Sequence, residues 1–286
     1  MQKAQTDTKI RADSENEHQH PMKDIILLVG HGSRGPDGNR ETEEFAARWR
    51  ERIPDWDIRL CHIEFADVLL EGGLDEAARG AERVIVAPLI INAAGHVKTE
   101  IPAAIAAARR RYPAVAFVYV PHLGACDAIL AILRRYLDRA MRALDMPDPV
   151  TTGVILLGRG SSDPMANGEV AKMARWLFEA SGHELVDIAF TGITHPRLER
   201  VVQRQARLGM MQIVILPYYL FTGRLMERIK NQVAHLERQY PRLRFARGEY
   251  FGFEEEIFQL LDKRIRDAGK PEAGMPCDGC ARKPLE

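Results

Sequence analysis

The chain repeats itself at an interval of 128 residues. The sequence Gly-His-Gly-Ser at 30–33 returns as Gly-Arg-Gly-Ser at 158–161, and Gly-His-Val at 95–97 returns as Gly-Arg-Leu at 223–225. In a chain of 286 residues, a duplication of this size favours two similar domains. Both histidines become arginines in the second copy. The pattern therefore predicts one site that binds through histidine and a second site that no longer does.

Short apolar runs alternate with longer amphipathic stretches in both copies. The short runs are rich in β-branched residues, as buried strands are, and the longer stretches have helical spacing. Strands are predicted at 25–29, 58–63, 84–91, 115–120, 154–157, 186–190, 213–220 and 243–246. Helices are predicted at 41–52, 69–79, 101–112, 128–144, 166–181, 197–208, 225–239 and 254–268. This alternation is typical of an α/β fold with two homologous, doubly wound, flavodoxin-like parallel-sheet domains.

The composition changes at both ends of the chain and near its middle. Residues 1–23 are polar and lack apolar periodicity, which predicts a disordered leader. The N-terminal domain is assigned to 24–145 and the C-terminal domain to 152–269, because a Met-Pro-Asp-Pro sequence between them cannot continue a helix. Residues 270–286 are predicted to form an irregular tail.

The charge balance argues against several classes of partner. Forty basic and 40 acidic residues give a net charge of zero, so no overall field draws the chain to nucleic acid or to an anionic membrane. No run approaches the roughly 18 apolar residues of a membrane span, and the start contains no apolar signal-peptide core. A cytoplasmic protein is therefore expected. The four cysteines, Cys61, Cys126, Cys277 and Cys280, are too few for a disulfide scaffold and are expected to be reduced.

Two histidines and a carboxylate follow three predicted strands of the first copy. His31 comes after the first strand, Glu64 ends the second and His96 follows the third. The carboxyl ends of parallel strands meet at one edge of a sheet, where open α/β folds bind their ligands. Two imidazoles and a carboxylate suit a borderline divalent metal such as cobalt, nickel, iron or zinc. The alternatives are loop histidines that bond the backbone, and a Glu64 that caps a helix or pairs with Arg34 or Arg40.

The motifs around these residues resemble those of a known family. Gly-His-Gly-Ser-Arg at 30–34, Ile-Glu-Phe-Ala at 63–66 and Gly-His-Val-Lys-Thr-Glu-Ile-Pro at 95–102 are similar to the class II tetrapyrrole chelatases. The similarity is closest to the long form of the sirohydrochlorin cobaltochelatases and covers about residues 24–265. It implies a tetrapyrrole in a cleft between the two domains and the insertion of Co²⁺ into sirohydrochlorin on the way to cobalamin.

The resemblance implies a role for each of the three candidate ligands. His31 and His96 would hold the metal and accept pyrrole protons, since a neutral imidazole is both a ligand and a base near pH 7. Glu64 would assist as a third ligand or as a proton acceptor. The metal has to leave for the macrocycle, so a loose set of ligands suits this chemistry better than a closed four-ligand cage.

Further polar residues are expected to bind the carboxylates that border such a macrocycle. In the first copy these are Ser33, Arg34 and Lys98, which lie beside the histidines. In the second copy they are Arg159 and Arg224, whose guanidinium groups have no lone pair for a metal. The alternative for Arg34 and Lys98 is ordinary solvated surface charge, and the alternative for Arg159 and Arg224 is that they simply close the cleft.

The tail sequence Met-Pro-Cys-Asp-Gly-Cys at 275–280 is also similar to long-form family members with a terminal element linked to an iron–sulfur centre. Such a cluster usually requires four thiolates, whereas Cys277 and Cys280 supply two per chain. A homodimer would meet the requirement. Redox pairing of the two thiols and adventitious metal binding are the alternatives.

Three other functions are compatible with the sequence. The first is the insertion of iron for siroheme, because iron and cobalt prefer similar ligands. The second is a carrier that sequesters metal or tetrapyrrole without turnover. The third is a regulatory subunit, which would require the tail thiols and not the histidines.

Overall fold

The short apolar runs of both copies form parallel strands. The computed structural model describes residues 24–33, 35–270 and 274–275, so the predicted leader and most of the predicted tail lie outside it. Strands β1 to β8 are Asp24–Gly30, Asp57–His62, Arg83–Pro88, Ala116–Tyr119, Thr152–Gly158, Val186–Phe190, Gln212–Pro217 and Arg244–Arg247. They form two four-stranded sheets, ordered β2-β1-β3-β4 and β6-β5-β7-β8. The predicted pair of doubly wound α/β domains is confirmed.

Helices follow the strands in both halves. Helices α1 to α8 are Pro36–Arg52, Leu70–Ala78, Ile101–Arg111, Asp127–Arg142, Pro164–Ser181, Leu198–Arg207, Arg224–Gln239 and Glu255–Asp267, and a π-helical turn at His96–Glu100 precedes α3. Strands β3 and β7 end earlier than predicted. Each ends at a proline, Pro88 or Pro217, which has no N–H to donate to the neighbouring edge strand. No helix of the described residues is both long and apolar enough to cross a bilayer.

Each sheet is covered on both faces, which explains the continuous apolar strands. In β1, Ile25 and Leu27 pack outward against α2 and α3. Ile26 and Leu28 point the other way, into a core cluster that also contains residues of α1, α4, α5 and α8. The outer face of the second sheet packs in the same manner against α6 and α7. The inner cluster is shared by the two halves.

The last helix of each half packs on the sheet of the other half. Helix α4 contacts β7 and β8, and α8 contacts β3. The buried rings of Phe45 on α1 and Phe258 on α8 stack in parallel with their centroids 4.2 Å apart. This exchange of helices α4 and α8 joins the two halves through buried apolar surface. The burial of apolar surface is the main stabilising contribution to contacts of this kind.

Buried polar contacts tie α8 to the first half. The Trp49 indole N–H donates to Asp262 at 2.8 Å. The Arg264 guanidinium donates to the carbonyl oxygens of Pro121 and Leu123 at 2.6 and 2.8 Å, and its burial lowers the pKa of Arg264 to about 10. Each buried polar group of these pairs would be costly without its partner. The contacts therefore fix the position of α8 as well as strengthening the interface.

The described part of the tail is anchored on the first sheet. The Met275 N–H donates to the carbonyl oxygen of Tyr119 on β4 at 2.8 Å, and the Met275 side chain is buried in the outer cluster of the first half. The chain therefore returns from α8 to the outer face of β4 just before Cys277. Cys277 and Cys280 lie outside the described residues. Of the remaining thiols, Cys61 is fully buried, and its burial raises the pKa of this thiol to about 12.

In each half, the loop after the first strand touches the loop after the second strand through backbone atoms. A Cβ on Gly32, which has φ of 89°, would lie 1.6 Å from the carbonyl oxygen of Glu64. A Cβ on Gly160, which has φ of 85°, would lie 2.4 Å from the carbonyl oxygen of Gly192. Glycine is required at both positions for its left-handed conformation and for the close approach. The duplication thus preserved this loop contact in both copies.

We predict that Gly32→Ala and Gly160→Ala each lower the free energy of unfolding by at least about 2 kcal/mol, because each adds backbone strain and a steric clash. Gly168→Ala is the matched control. Gly168 is exposed inside α5, and a Cβ added there would meet no atom within 4 Å, so alanine should raise stability by about 0.5–1 kcal/mol. Urea denaturation measures all three. Unchanged stability of the first two variants would contradict the close approach of the loops.

Candidate metal centre

The three predicted metal ligands lie together at the carboxyl edge of the first sheet. His31 follows β1, Glu64 lies on the loop after β2, and His96 opens the π-helical turn after β3. Because β1 lies between β2 and β3, the ends of these strands are neighbours. One nitrogen or oxygen atom from each of the three side chains lies within 4.8 Å of the other two. Ligands about 2.1 Å from one ion lie no more than about 4.2 Å apart, so a small side-chain adjustment completes the set.

Hydrogen bonds orient both imidazoles. His31 Nδ1 donates to the carbonyl oxygen of Gly32 at 3.1 Å, and His96 Nδ1 donates to the Glu100 carboxylate at 2.8 Å. The rings meet edge to face with their centroids 4.7 Å apart. Because both acceptors lack protons, each Nδ1 carries the hydrogen and each Nε2 keeps a lone pair for a metal. A carboxylate behind a ligand histidine is a frequent outer partner in metal sites.

The π-helical turn explains how His96 and Glu100 come to share a face. The N–H of Ile101 donates to the carbonyl oxygen of His96 five residues earlier, and Pro102 has no N–H for a normal α-helical bond. The Tyr119 hydroxyl also donates to the carbonyl oxygen of Val97 at 2.9 Å. Such wide turns often occur at functional sites. The role of Glu100 was missed in the sequence, although its spacing of four from His96 is a usable signal.

Electrostatics keep His31 in its neutral form. Partial burial lowers the pKa of the His31 imidazole, and the neighbouring His96 ring and the positive charge of Arg159 lower this pKa further. The hydrogen bond to Gly32 and the charge of Glu64 oppose the shift without reversing it. The side chains of all three ligands are between 31% and 39% exposed. The centre is therefore accessible from solvent and ready to coordinate a cation at neutral pH.

The centre opens into a cleft of about 830 Å³ whose walls come from both halves. This volume lies in the range of small-molecule sites. From the second half, Arg159, Ser161 and Tyr219 line the cleft, and the Arg159 side chain is exposed. A second cavity of about 720 Å³ adjoins it at Gly38 and Thr222. Within the described residues, His31, Glu64 and His96 are the group of three or more His, Cys, Asp or Glu side chains that lie close enough together to hold a metal ion.

The residues predicted to bind carboxylates have different surroundings. Ser33 lines the cleft, but its hydroxyl accepts a hydrogen bond from the N–H of Gly35 at 3.1 Å and so helps to form the turn before α1. Lys98 donates to Asp163 of the second half at 2.5 Å and does not line the cleft. Burial of Asp163 opposes its ionisation, but the contact with Lys98 and the backbone hydrogen bonds from Met165 and Ala166 together outweigh burial and lower the pKa of Asp163. Lys98 therefore has a partner that the sequence did not reveal.

Arg34 and Arg224 are the other two cations predicted to bind carboxylates, besides Lys98 and Arg159. Arg34 lies outside the described residues. Arg224 is the first residue of α7, at the position that corresponds to His96, and its side chain is not described.

The second half retains the loops but not the ligands. Arg159 replaces His31, Gly192 replaces Glu64 and Arg224 replaces His96, each at a distance of 128 residues. The two histidine replacements were identified from the sequence, whereas the replacement of Glu64 was missed. The second copy therefore has none of the three candidate ligands at the corresponding positions.

Comparisons with known proteins agree with this description. The CbiX family model matches residues 25–140 and 153–268. A protein named sirohydrochlorin cobaltochelatase from Priestia megaterium is 38% identical over 266 residues, which cover 91% of this chain and 85% of that protein. The sirohydrochlorin ferrochelatase of the same organism is 28% identical over 244 residues, which cover 85% of this chain and 90% of that protein.

A solved structure has the same architecture. The sirohydrochlorin chelatase SirB from Bacillus subtilis subspecies spizizenii, in complex with cobalt, matches with a TM-score of 0.71 at 26% identity and covers 86% of this chain and 95% of that one. The family model matches each half separately, and the first match includes all three candidate ligands. This chain therefore belongs to the CbiX family.

Proposed function

We propose that this protein is a sirohydrochlorin chelatase that inserts Co²⁺. The observation that carries the proposal is the open three-ligand centre of His31, Glu64 and His96, which faces a cleft between two homologous halves. The relative with 38% identity, which is named a cobaltochelatase, supports cobalt as the metal. The ferrochelatase with 28% identity makes iron the second candidate.

The proposed reaction begins with the capture of Co²⁺ by the centre. Two imidazole nitrogens and one carboxylate oxygen suit a borderline divalent ion, and they leave coordination positions open for the macrocycle. Glu100 supports His96 from behind and fixes the ring orientation. Because about a third of each ligand side chain is exposed, the ion is held on the cleft wall and not enclosed. The ion can therefore leave the protein for the four nitrogens of the macrocycle.

The second step exchanges two protons for the metal. Sirohydrochlorin gives up two pyrrole protons as its four nitrogens bind Co²⁺, so the charge of the ion replaces that of the protons. As the metal leaves, the freed side chains of His31, His96 and Glu64 can accept these protons. Neutral His31 is suited to this role because its lowered pKa keeps the lone pair available. Solvent at the open centre then removes the protons.

Cations on the cleft wall would bind the carboxylates of the macrocycle. Arg159 is the best supported, since its exposed side chain lines the cleft from the second half. A guanidinium group binds a carboxylate through two parallel hydrogen bonds. Arg34, Arg224, Ser33 and Lys98 stay predictions for this role. The iron–sulfur cluster, the homodimer and the cytoplasmic location also stay predictions.

The first prediction concerns the ligands. His31→Ala and His96→Ala should each weaken Co²⁺ binding by at least about 100-fold and abolish insertion, and Glu100→Gln should weaken binding by about tenfold. Isothermal titration measures binding, and the absorbance change of sirohydrochlorin under anaerobic conditions measures insertion. The matched control is His235→Ala, which removes an exposed histidine from α7 and should change neither property. Insertion at the wild-type rate by either ligand variant would refute the assigned roles.

The second prediction separates the metals and tests for turnover. The wild-type protein, incubated anaerobically with sirohydrochlorin and equal concentrations of Co²⁺ or Fe²⁺, should insert cobalt faster. This follows the general order of affinity, in which Co²⁺ exceeds Fe²⁺. Faster insertion of iron would indicate a ferrochelatase. Stoichiometric binding without metallated product in excess of the protein would indicate a carrier.

The third prediction concerns pH. A protonated imidazole cannot bind metal, and the pKa of His31 is lowered, so Co²⁺ affinity should fall on acidification only below about pH 6.5, where an ordinary histidine titrates. Arg159→Gln removes one cause of the lowering, so the pKa of His31 should rise and the midpoint of Co²⁺ binding should move to higher pH. Arg242→Gln, an exposed charge elsewhere in the second half, is the control. An unchanged midpoint at low ionic strength would contradict the electrostatic role of Arg159.

A further inference from the structure

Two large apolar residues occupy a backbone conformation that normally belongs to glycine. Among the described residues, Phe65 and Ile193 are the non-glycine residues with positive φ, at 54° and 62°. They are 128 residues apart and therefore correspond in the duplication. Each lies on the loop after the second strand of its half, directly after the residue that contacts Gly32 or Gly160. The same strained position is thus present twice.

The loops are held in this conformation by backbone hydrogen bonds. The N–H of Glu64 donates to His31 at 3.1 Å, and the N–H of Gly192 donates to Arg159 at 3.0 Å. Positive φ is costly for any residue with a Cβ and most costly for a β-branched one such as Ile193. Glycine or asparagine would relieve the strain. Local backbone preference therefore does not explain why an isoleucine occupies this position.

Packing of the side chain in the core does not explain the residue type either. The side chain of Phe65 is 43% exposed and that of Ile193 is 58% exposed, so neither is a core residue. Both line the cleft, one from each half. Strained residues are held by the surrounding structure and cluster at functional sites. Ile193 is the more informative of the two, because the described residues of its half contain no group of candidate metal ligands that could demand this loop geometry.

We propose that Phe65 and Ile193 are substrate-binding residues that contact the apolar ring faces of the macrocycle and hold it against the metal centre. The inference rests on the proposed function, because it assumes a tetrapyrrole in the cleft. In the first half the loop presents a metal ligand, Glu64, followed by an apolar contact. In the second half Gly192 precedes the apolar contact. The second copy therefore lost its metal chemistry and kept this part of its substrate site.

Ile193→Asn tests the proposal. Asparagine tolerates positive φ, so the melting temperature should stay the same or rise. The affinity for metal-free sirohydrochlorin should fall by about tenfold, because the variant loses the apolar contact that the macrocycle buries when it binds. Co²⁺ affinity should not change, because the three ligands lie in the other half. Anaerobic absorbance titration, thermal denaturation and calorimetric titration of Co²⁺ alone measure the three quantities.

Two matched variants separate the causes. Ile193→Val keeps both the apolar contact and the strain, so sirohydrochlorin affinity should stay within about threefold of wild type. Leu208→Asn removes an apolar side chain that is 59% exposed in the same half but outside the cleft, and it should leave this affinity unchanged. A loss of affinity in Ile193→Asn alone supports a direct contact.

The outcomes distinguish this inference from the proposed function. If the wild type binds sirohydrochlorin and inserts cobalt while Ile193→Asn binds it equally well, the inference is wrong and the proposed function stands. A marked fall in the melting temperature of Ile193→Asn would show that Ile193 stabilises the fold, which would also overturn the inference. If the wild type binds no sirohydrochlorin, both the proposed function and the inference are wrong.

Discussion

The exchange of helices α4 and α8 between the two halves is the contact on which the rest of the structure depends. Each helix leaves its own half and packs on the sheet of the other, so the apolar cluster between the sheets belongs to both. Buried hydrogen bonds of Asp262 and Arg264 fix where α8 lies within that cluster. The cleft is the space left at the strand ends of two sheets joined in this way. Its width is therefore set by packing far from the metal ligands.

Comparison of the two halves distinguishes residues that the loop backbone requires from residues that only metal binding would require. Gly32 and Gly160 keep the same left-handed conformation and the same close approach in both halves. The three candidate ligands of the first half have no counterparts in the second. Both halves thus share the loop shape although the candidate ligands are present in only one, because the backbone bonds between neighbouring strand ends do not depend on those side chains. The second half could acquire another role in the same cleft without a change of fold.

Much of this arrangement could be predicted from the sequence because it follows from local patterns. Alternating apolar runs and amphipathic stretches indicated the α/β class, and residues at the ends of parallel strands converge wherever those strands are neighbours. His31, Glu64 and His96 could therefore be brought together before their distances were known. The pairing of Lys98 with Asp163 was not predictable in this way, since it joins residues 65 positions apart across the two halves.

Three other features could not be predicted from the sequence, each for a different physical reason. Helical periodicity shows which face of α4 is apolar, but it does not show which sheet that face covers. The strain at Ile193 has no signal in composition, because it arises from backbone bonds between two loops. The π-helical turn precedes Pro102, which has no backbone N–H. The sequence predicts that this proline disturbs the turn before it, but it does not predict which hydrogen bonds form there. Tertiary contacts decide the first two features, and a tertiary hydrogen bond from Tyr119 to Val97 contributes to the third.

The ion pair between Lys98 and Asp163 has a consequence for how the metal centre is held. All three ligands come from the first half, yet Lys98 lies two residues after His96 in the same π-helical turn and is bonded to the second half. The position of one ligand is therefore set jointly by both halves. The geometry of the candidate centre is thus a property of the assembled pair, because a change in the separation of the halves is transmitted to His96 through a single turn of helix.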